Sequence, residues 1–471
     1  MRRIAFLFLI SLAASAHAQE TRLAADFRGE GERFKGSCTG GLNFGKIGSC
    51  AELLFTDHPL HIAVGSLAPQ NGFAAGVAMV GHWTPKSWRN SWELDAVASP
   101  NGSWRAGGYL TAVWIRRPKI VVTTGDASSG PSNVAIQEQA VFNFYAENTS
   151  LNKLTFFGLG PDTRDTARSY YGMSEAITGA NAVFPFWRKL NASVYAEANG
   201  RFVDLRGSRG QTSPSIEQLY SPASAPGLGT QTGFAQFGQG LRLRPVFAKD
   251  YIRLNYLVSF QEYIAGGSHF SFRRFTTDLQ HTFSFYQTTR TLLPKDHNGP
   301  DDCSEDLGDT HHKCPPILPV PPPGKTRNLE GGISLRLLIK ESFVSSGNTV
   351  PFYFQPTLGG SDINGNLMLG SYQDYRFRAP NMLLFRASFE HSLPKLPIGI
   401  TAMIDEGKVA NSRGEIDFTH LRHTYSAGMT LRAGGFPMVY LLFSIGGHEG
   451  MRTAARVDTS LLGGSTRPSL Y

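Results

Sequence analysis

Apolar and polar side chains alternate with a period of two along most of this chain. In 190–201, for example, Val194 and Ala196 alternate with Ser193, Tyr195 and Glu197. Such alternation predicts strands with one apolar and one polar face, and hence an all-β fold class. Sixteen candidate strands follow, at 60–68, 72–83, 91–99, 104–116, 140–157, 168–186, 190–201, 232–245, 252–261, 274–285, 331–342, 382–392, 398–410, 422–433, 438–447 and, weakly, 454–463.

Two architectures present such strands, a soluble sandwich and a transmembrane antiparallel β-barrel. Several candidates run to ten or more residues, a length suited to crossing a bilayer at a tilt. Full charges such as Arg253, Asp278 and Arg386 lie in mid-strand on the polar face. A hydrated lumen tolerates these charges, whereas the dry middle of a sandwich does not. The sequence therefore favours a barrel of about 16 strands.

Aromatic residues gather near the ends of some candidate strands. Barrels carry aromatic girdles at the two membrane interfaces. We expect such a girdle from two groups, and ordinary packing under a loop is the alternative for both. The groups are Phe184, Phe186 and Trp187, and Phe352, Tyr353 and Phe354.

The N-terminus predicts secretion. Arg2 and Arg3 precede the apolar stretch 4–14, and Ala16 and Ala18 supply a cleavage site, so residues 1–18 are predicted to be a signal peptide. We expect 19–58 to be a short periplasmic leader and 59–471 to be the barrel. The formal net charge of +8 falls to +6 without the signal peptide. This excess favours anionic surfaces such as lipopolysaccharide, or it reflects no specific partner.

The four cysteines form two local pairs. Cys38 and Cys50 lie in a Gly-rich segment, and Cys303 and Cys314 lie in a loop. In an oxidising envelope each pair can close a disulfide. The second loop is also rich in His and Asp, which leaves metal binding as an alternative. Its irregular spacing makes the disulfide the preferred interpretation, with no metal site.

Residues 351–410, which begin PFYFQPTLGG and contain LGSYQDYRFR, resemble the C-terminal part of the bacterial surface antigen family. This outer-membrane superfamily includes barrel-assembly insertases and two-partner-secretion transporters. The resemblance implies that a long extracellular loop, here 351–381, folds back into the lumen. In the family an Arg-Gly-aromatic motif on this loop meets acidic residues of the barrel wall.

By this resemblance Tyr372 is the motif aromatic, and Gly370 and Ser371 stand where the family has Arg and Gly. Glu390 and Asp405 are the expected acidic partners, and the strand pattern also points both carboxylates inward. We expect Arg376, or else Arg378, to supply the missing cation to them. The expected loop motif consists of Gly370, Ser371, Tyr372, Asp374, Arg376 and Arg378. The alternative is that these charges are merely hydrated lumenal residues.

The segment 19–58 is too short for a periplasmic polypeptide-transport-associated domain, so the chain resembles a barrel-only member. The family resemblance implies a role in inserting proteins into the outer membrane or translocating them across it, with unfolded proteins as clients. The alternative function is a passive pore or a structural barrel. The catalytic motifs of hydrolases, zinc proteases and P-loop enzymes are absent from the sequence, so we expect no enzyme. A lumenal enzyme or a surface adhesin is the remaining alternative, and we expect no cofactor and no nucleic-acid partner.

Overall fold

A computed structural model describes residues 60–85, 87–116, 137–208, 214–290, 325–394, 396–433, 436–447 and 449–457, together with residues 28, 32 and 35. The predicted signal peptide, almost all of the predicted leader, the four cysteines and the C-terminal Tyr471 lie outside these residues. The division of the chain into leader and barrel therefore stays a prediction. None of the helices in the described part of the chain is long and apolar enough to cross a membrane.

Strands dominate the described residues. They are β1 (Leu60–Ser66), β2 (Phe73–Trp83), β3 (Trp88–Ala98), β4 (Trp104–Arg116), β5 (Gln137–Phe156), β6 (Ser169–Trp187), β7 (Ala192–Gly207), β8 (Thr232–Leu243), β9 (Val246–Phe247), β10 (Ile252–Ala265), β11 (Phe272–Arg290), β12 (Lys325–Phe343), β13 (Thr357–Leu358), β14 (Phe377–Arg378), β15 (Asn381–Ser392), β16 (Ile398–Ala410), β17 (Arg422–Ala433), β18 (Phe436–Ile445) and β19 (Met451–Val457). A short helix, α1, spans Ile216–Leu219, and 3-10 turns span Asp165–Ala167, Phe352–Phe354 and Arg413–Glu415.

Sixteen of these strands form one antiparallel meander. Each strand pairs with the next along the chain, except that β8 pairs with β10 and β12 pairs with β15. The two-residue β9 adds to β10, while β13 and β14 pair with each other. All sixteen predicted strands are present, and the prediction of a large antiparallel all-β sheet is confirmed.

The sheet curls around the connection between β12 and β15. This connection, residues 344–380, is called the plug below. The plug contacts the turn between β1 and β2, where the Tyr375 hydroxyl donates to the carbonyl of Pro69, and it also contacts Arg452 on β19. Both ends of the meander therefore lie against the same lumenal segment, as in a barrel.

The two faces of the wall differ as the alternation predicts. On β16, Ile400 and Ile404 are exposed outward, whereas Asp405 is fully buried inside. On β11, Phe283 faces outward, and the opposite face carries Arg274 and Asp278. An apolar outer face around a polar interior is characteristic of outer-membrane barrels. The protein is an outer-membrane β-barrel, which confirms the predicted localisation.

An aromatic girdle lies at the end of the barrel where β1 begins and β19 ends. This end is called the terminal end, and the opposite end is called the plug end. The rings of Trp88 and Trp114 are 6.4 Å apart, and those of Phe142 and Phe184 are 5.5 Å apart. Phe184, Phe186 and Trp187 are all exposed here. The girdle prediction is therefore confirmed for these three residues.

Candidate functional site at the lumenal plug

The plug is a small folded unit. Strands β13 and β14 pair at its base, and a hairpin follows in which the Gly359 amide donates to the carbonyl of Met368. Asp362 closes the hairpin by accepting bonds from the amides of Asn364 and Asn366. These contacts satisfy part of the backbone of the segment locally, and the remaining groups need partners from the wall.

An aromatic core fixes the plug at the plug end. Phe352, Tyr353 and Phe354 are each at most 1% exposed. They pack against aromatic rings of the wall, with Phe352 5.0 Å from Phe156 and Phe354 4.9 Å from Phe234. Burial also raises the pKa of Tyr353, so its hydroxyl stays neutral within this core.

The expectation that Phe352, Tyr353 and Phe354 belong to an interfacial girdle is therefore wrong. These three rings face the interior and form part of the largest apolar cluster of the described residues. Their alternative interpretation, packing under a loop, is the correct one. The physical reason is that the loop carrying them turns inward, so the three rings are buried in the lumen and do not face lipid.

Asp405 holds the tip of the plug on the inner wall. Its carboxylate receives a bidentate pair from Arg386 on the neighbouring strand, with Nε–Oδ1 at 2.6 Å and Nη2–Oδ2 at 2.9 Å. The amide of Leu369 donates to the same Oδ2 at 2.9 Å, and Arg386 Nη2 also donates to the carbonyl of Leu367. Asp405 and Arg386 thus present an acceptor and a donor to two backbone groups of the plug.

This arrangement corrects the expected pairing. Neither Arg376 nor Arg378 supplies the cation to Asp405, because Arg386 from the wall already does. Glu390 lies elsewhere, since it pairs with Arg432 and accepts a bond from Thr430 at 3.2 Å. The structure therefore brings only one of the two predicted carboxylates to the plug.

Arg376 and Arg378 have other partners. Arg376 pairs with Glu449 at 2.6 Å and donates to both the hydroxyl and the carbonyl of Thr163 at 2.7 Å. Arg378 donates to the carbonyl of Phe352 at 2.7 Å. Both guanidinium groups are almost completely buried, so they are structural cations of the plug and not hydrated lumenal charges.

Gly370, Ser371 and Tyr372 form the tip of the plug. A Cβ atom at Gly370 would lie 2.8 Å from Oγ of Ser444 on β18, so a larger side chain would have to displace that hydroxyl. The hydroxyl of Ser371 hydrogen-bonds that of Thr424 on β17 at 2.7 Å. The departure from the Arg-Gly motif therefore coincides with direct contact between the tip and the wall.

Asp374 belongs to the same unit. Its Oδ1 accepts a bond from the amide of Ser361 at 2.9 Å, and its Oδ2 pairs with Arg452 at 2.7 Å. The sequence interpretation overlooked both Arg452 and Glu449. The only available signal was the weak period-two pattern near 454–463, whereas β19 lies at Met451–Val457.

Below the plug, the lumen is lined by polar groups. Arg201 and Glu175 form an ion pair at 2.8 Å in which both side chains are 1% exposed. Tyr145 donates to Glu197 at 3.0 Å, and Arg201 reaches Gln236 at 2.6 Å. Within the described residues, no group of three or more His, Cys, Asp or Glu side chains is placed to hold a metal ion. The loop with Cys303 lies outside them.

Comparisons with known proteins give matches among solved structures. No protein-family profile and no curated protein sequence matches the chain. Among solved structures the chain is similar to BamA from Haemophilus ducreyi lacking POTRA domains 1–3, with a TM-score of 0.49 and 10% identity over 84% of this chain and 69% of that one. CdiB from Acinetobacter baumannii gives a TM-score of 0.44 and 10% identity over 84% of this chain and 58% of that one. CdiB from Escherichia coli gives a TM-score of 0.47 and 11% identity over 85% of this chain and 63% of that one.

The chain spans less than two thirds of the length of the two CdiB structures. The strand count and the lumenal segment after the eleventh strand of the meander are visible in the structure itself. These two features confirm the fold that the resemblance to the surface antigen family implies.

Proposed function

We propose that this outer-membrane barrel assists the insertion of proteins into the outer membrane or their translocation across it. The observation that carries the proposal is the attachment of the plug tip to the inner wall by Asp405 and Arg386. The resemblance of 351–410 to the surface antigen family implies a lumenal loop held on an acidic wall residue. Unfolded outer-membrane or secreted proteins are the corresponding clients.

The alternative function is a passive pore or a structural barrel. The dry aromatic core around Phe352 disfavours an open pore, because water and ions do not pass through close-packed apolar side chains. The departures at Gly370 and Ser371 favour a structural barrel. Enzymatic activity has no support from a recognisable catalytic motif.

Reconstitution of the full chain in liposomes tests the proposal. An unfolded outer-membrane barrel is added from urea, and its folding is followed by the shift in its electrophoretic mobility. We expect folding several times faster than in empty liposomes. Equal folding rates would contradict the proposal, and a steady ion conductance without an effect on folding would support the pore.

Two matched variants connect the activity with the plug. Arg386→Gln removes the cation that fixes the plug tip, whereas Arg432→Gln breaks a similar wall ion pair, the one with Glu390. We expect the first variant to change the folding rate of the client and the second to leave it near that of the wild type. Equal effects would mean that loss of barrel stability, and not the plug, is responsible.

A further inference from the structure

Two neighbouring connections at the terminal end of the barrel carry an excess of positive charge. The turn between β6 and β7 contains Arg188 and Lys189, and the connection between β8 and β10 contains Arg244 and Lys249. All four side chains are exposed, and the salt bridges between described residues include none of them. Asp250 is the only acidic residue of the two connections. These four cations are called the basic patch below.

The two connections touch each other, so their charges act together. The amide of Arg244 donates to the carbonyls of Leu190 and Asn191, at 3.2 Å in each case. Strands β7 and β8 continue from this contact as an antiparallel pair that begins at Ala192 and Leu243. Cations this close together raise the local potential and favour a bound anion.

Exposed apolar side chains accompany the basic patch. Phe186 and Trp187 directly precede the first connection and are 57% and 52% exposed. Val246 and Phe247 lie between the two cations of the second connection, and each is 47% exposed. Aromatic rings of this kind lie at the headgroup level of a bilayer, and neighbouring Arg and Lys side chains reach the lipid phosphates there.

A groove in the lipid-facing surface lies next to the basic patch. Its floor consists of small side chains on β6 and β7: Thr178, Ala180, Ala182, Ala196 and Ala198. The half-exposed rings of Phe144 on β5 and Phe237 on β8 border this floor. Three strand spacings separate these two aromatic residues, about 14 Å at 4.7–4.9 Å for each spacing. A depression of about 890 Å³ lies along the groove, and Phe144, Ala180 and Ala198 belong to its lining.

The depth of the groove suits one leaflet of the bilayer. Ala196 is the fifth residue of β7, so the groove begins about 15 Å along the strand from the basic turn. This length is about half of the roughly 30 Å thickness of the hydrocarbon core. A lipid whose phosphate lies at the basic patch can therefore extend an acyl chain into the groove.

We propose that the basic patch and the groove form a binding site for one anionic glycerophospholipid. The phosphate binds Arg188, Lys189 and Arg244, because guanidinium groups donate paired hydrogen bonds to phosphate oxygens. An acyl chain lies over the alanine floor between Phe144 and Phe237. A zwitterionic headgroup brings its own cation to the patch, so the site prefers a lipid with a net negative charge. The site does not depend on the function proposed above.

Native mass spectrometry of the full chain in detergent micelles tests this site with phosphatidylglycerol and with phosphatidylethanolamine of the same acyl chains. One test variant is the double substitution Arg188→Gln and Lys189→Gln. Its matched control replaces Arg164 and Arg168 with Gln, since both are exposed arginines at the plug end. The other test variant is Ala198→Phe, which fills the groove. Its control is Ala402→Phe at an exposed alanine on the outer face of β16.

We expect the wild type to bind phosphatidylglycerol severalfold more tightly than phosphatidylethanolamine. The double Gln variant should bind phosphatidylglycerol roughly 25-fold more weakly, about fivefold for each cation removed, and should lose the preference. Ala198→Phe should weaken the binding of both lipids severalfold and keep the preference, and both controls should bind like the wild type.

Three results would overturn the proposal, provided that a shift in electrophoretic mobility shows that each variant is folded. The first is equal binding of the two lipids by the wild type. The second is an equal loss in the Arg164 and Arg168 control, which would mean that any surface cation attracts the lipid. The third is unchanged binding by Ala198→Phe, which would show that no acyl chain occupies the groove.

Discussion

Replacement of Asp405 by Asn is expected to release the tip of the plug from the barrel wall. Asp405 accepts three hydrogen bonds, two from Arg386 and one from the amide of Leu369. Asn keeps the size of the side chain but presents an NH₂ group to one of these donors. Because a hydrogen bond to a charged group contributes about 1.5–3 kcal/mol, we expect the tip to lose about 2–3 kcal/mol of local stability.

This loss corresponds to roughly 30- to 150-fold faster exchange of the Leu369 amide, at about 1.4 kcal/mol for each factor of ten. Hydrogen exchange of peptides from 361–376, measured on the full chain in detergent, reports the change. The control is Glu390→Gln, which removes a lumenal carboxylate that pairs with Arg432 and does not contact the plug. Unchanged exchange in a folded Asp405→Asn variant, or an equal effect of Glu390→Gln, would refute the reasoning.

Three further substitutions test other contacts of the plug. Gly370→Val should destabilise the tip by about 1–3 kcal/mol, because its side chain would collide with Ser444, and faster exchange of the tip peptide would show this. Arg376→Glu places two carboxylates together at Glu449, so limited proteolysis should cut the plug faster; an unchanged digestion pattern would contradict the ion pair. Phe352→Ala removes a fully buried ring at a cost of about 3–5 kcal/mol, and we expect planar bilayers to show channel openings that the wild type lacks.

The wall was predictable from the sequence because each strand carries its own signal. Lipid outside and water inside impose opposite polarity on successive residues, so Val194 and Glu197 reveal their faces without knowledge of their neighbours. The same parity placed Arg386 and Asp405 in the lumen. Antiparallel register then sets these two residues directly opposite each other, and this register could have identified the true cation.

The contacts of the plug were less predictable because they depend on how an irregular segment packs in three dimensions. Arg376 lies close to Asp405 in the resemblance-based interpretation, yet it reaches Glu449, which is 73 positions away in the chain. The aromatic triplet at Phe352 suits both a membrane interface and a buried core, and composition cannot separate the two. The local sequence pattern identifies the strands, whereas the contact partners of residues in a folded loop can be identified only from the tertiary structure.

The contacts between the plug and the wall differ in the free energy needed to break them. Phe352, Tyr353 and Phe354 each bury about 200 Å² of mainly apolar surface, so ejecting them from the lumen would cost about 15 kcal/mol at 25 cal/mol per Å². Breaking the charged hydrogen bonds to Arg452 would cost about 1.5–3 kcal/mol each. Release of the Arg452 contacts alone therefore costs far less than expulsion of the aromatic core from the lumen.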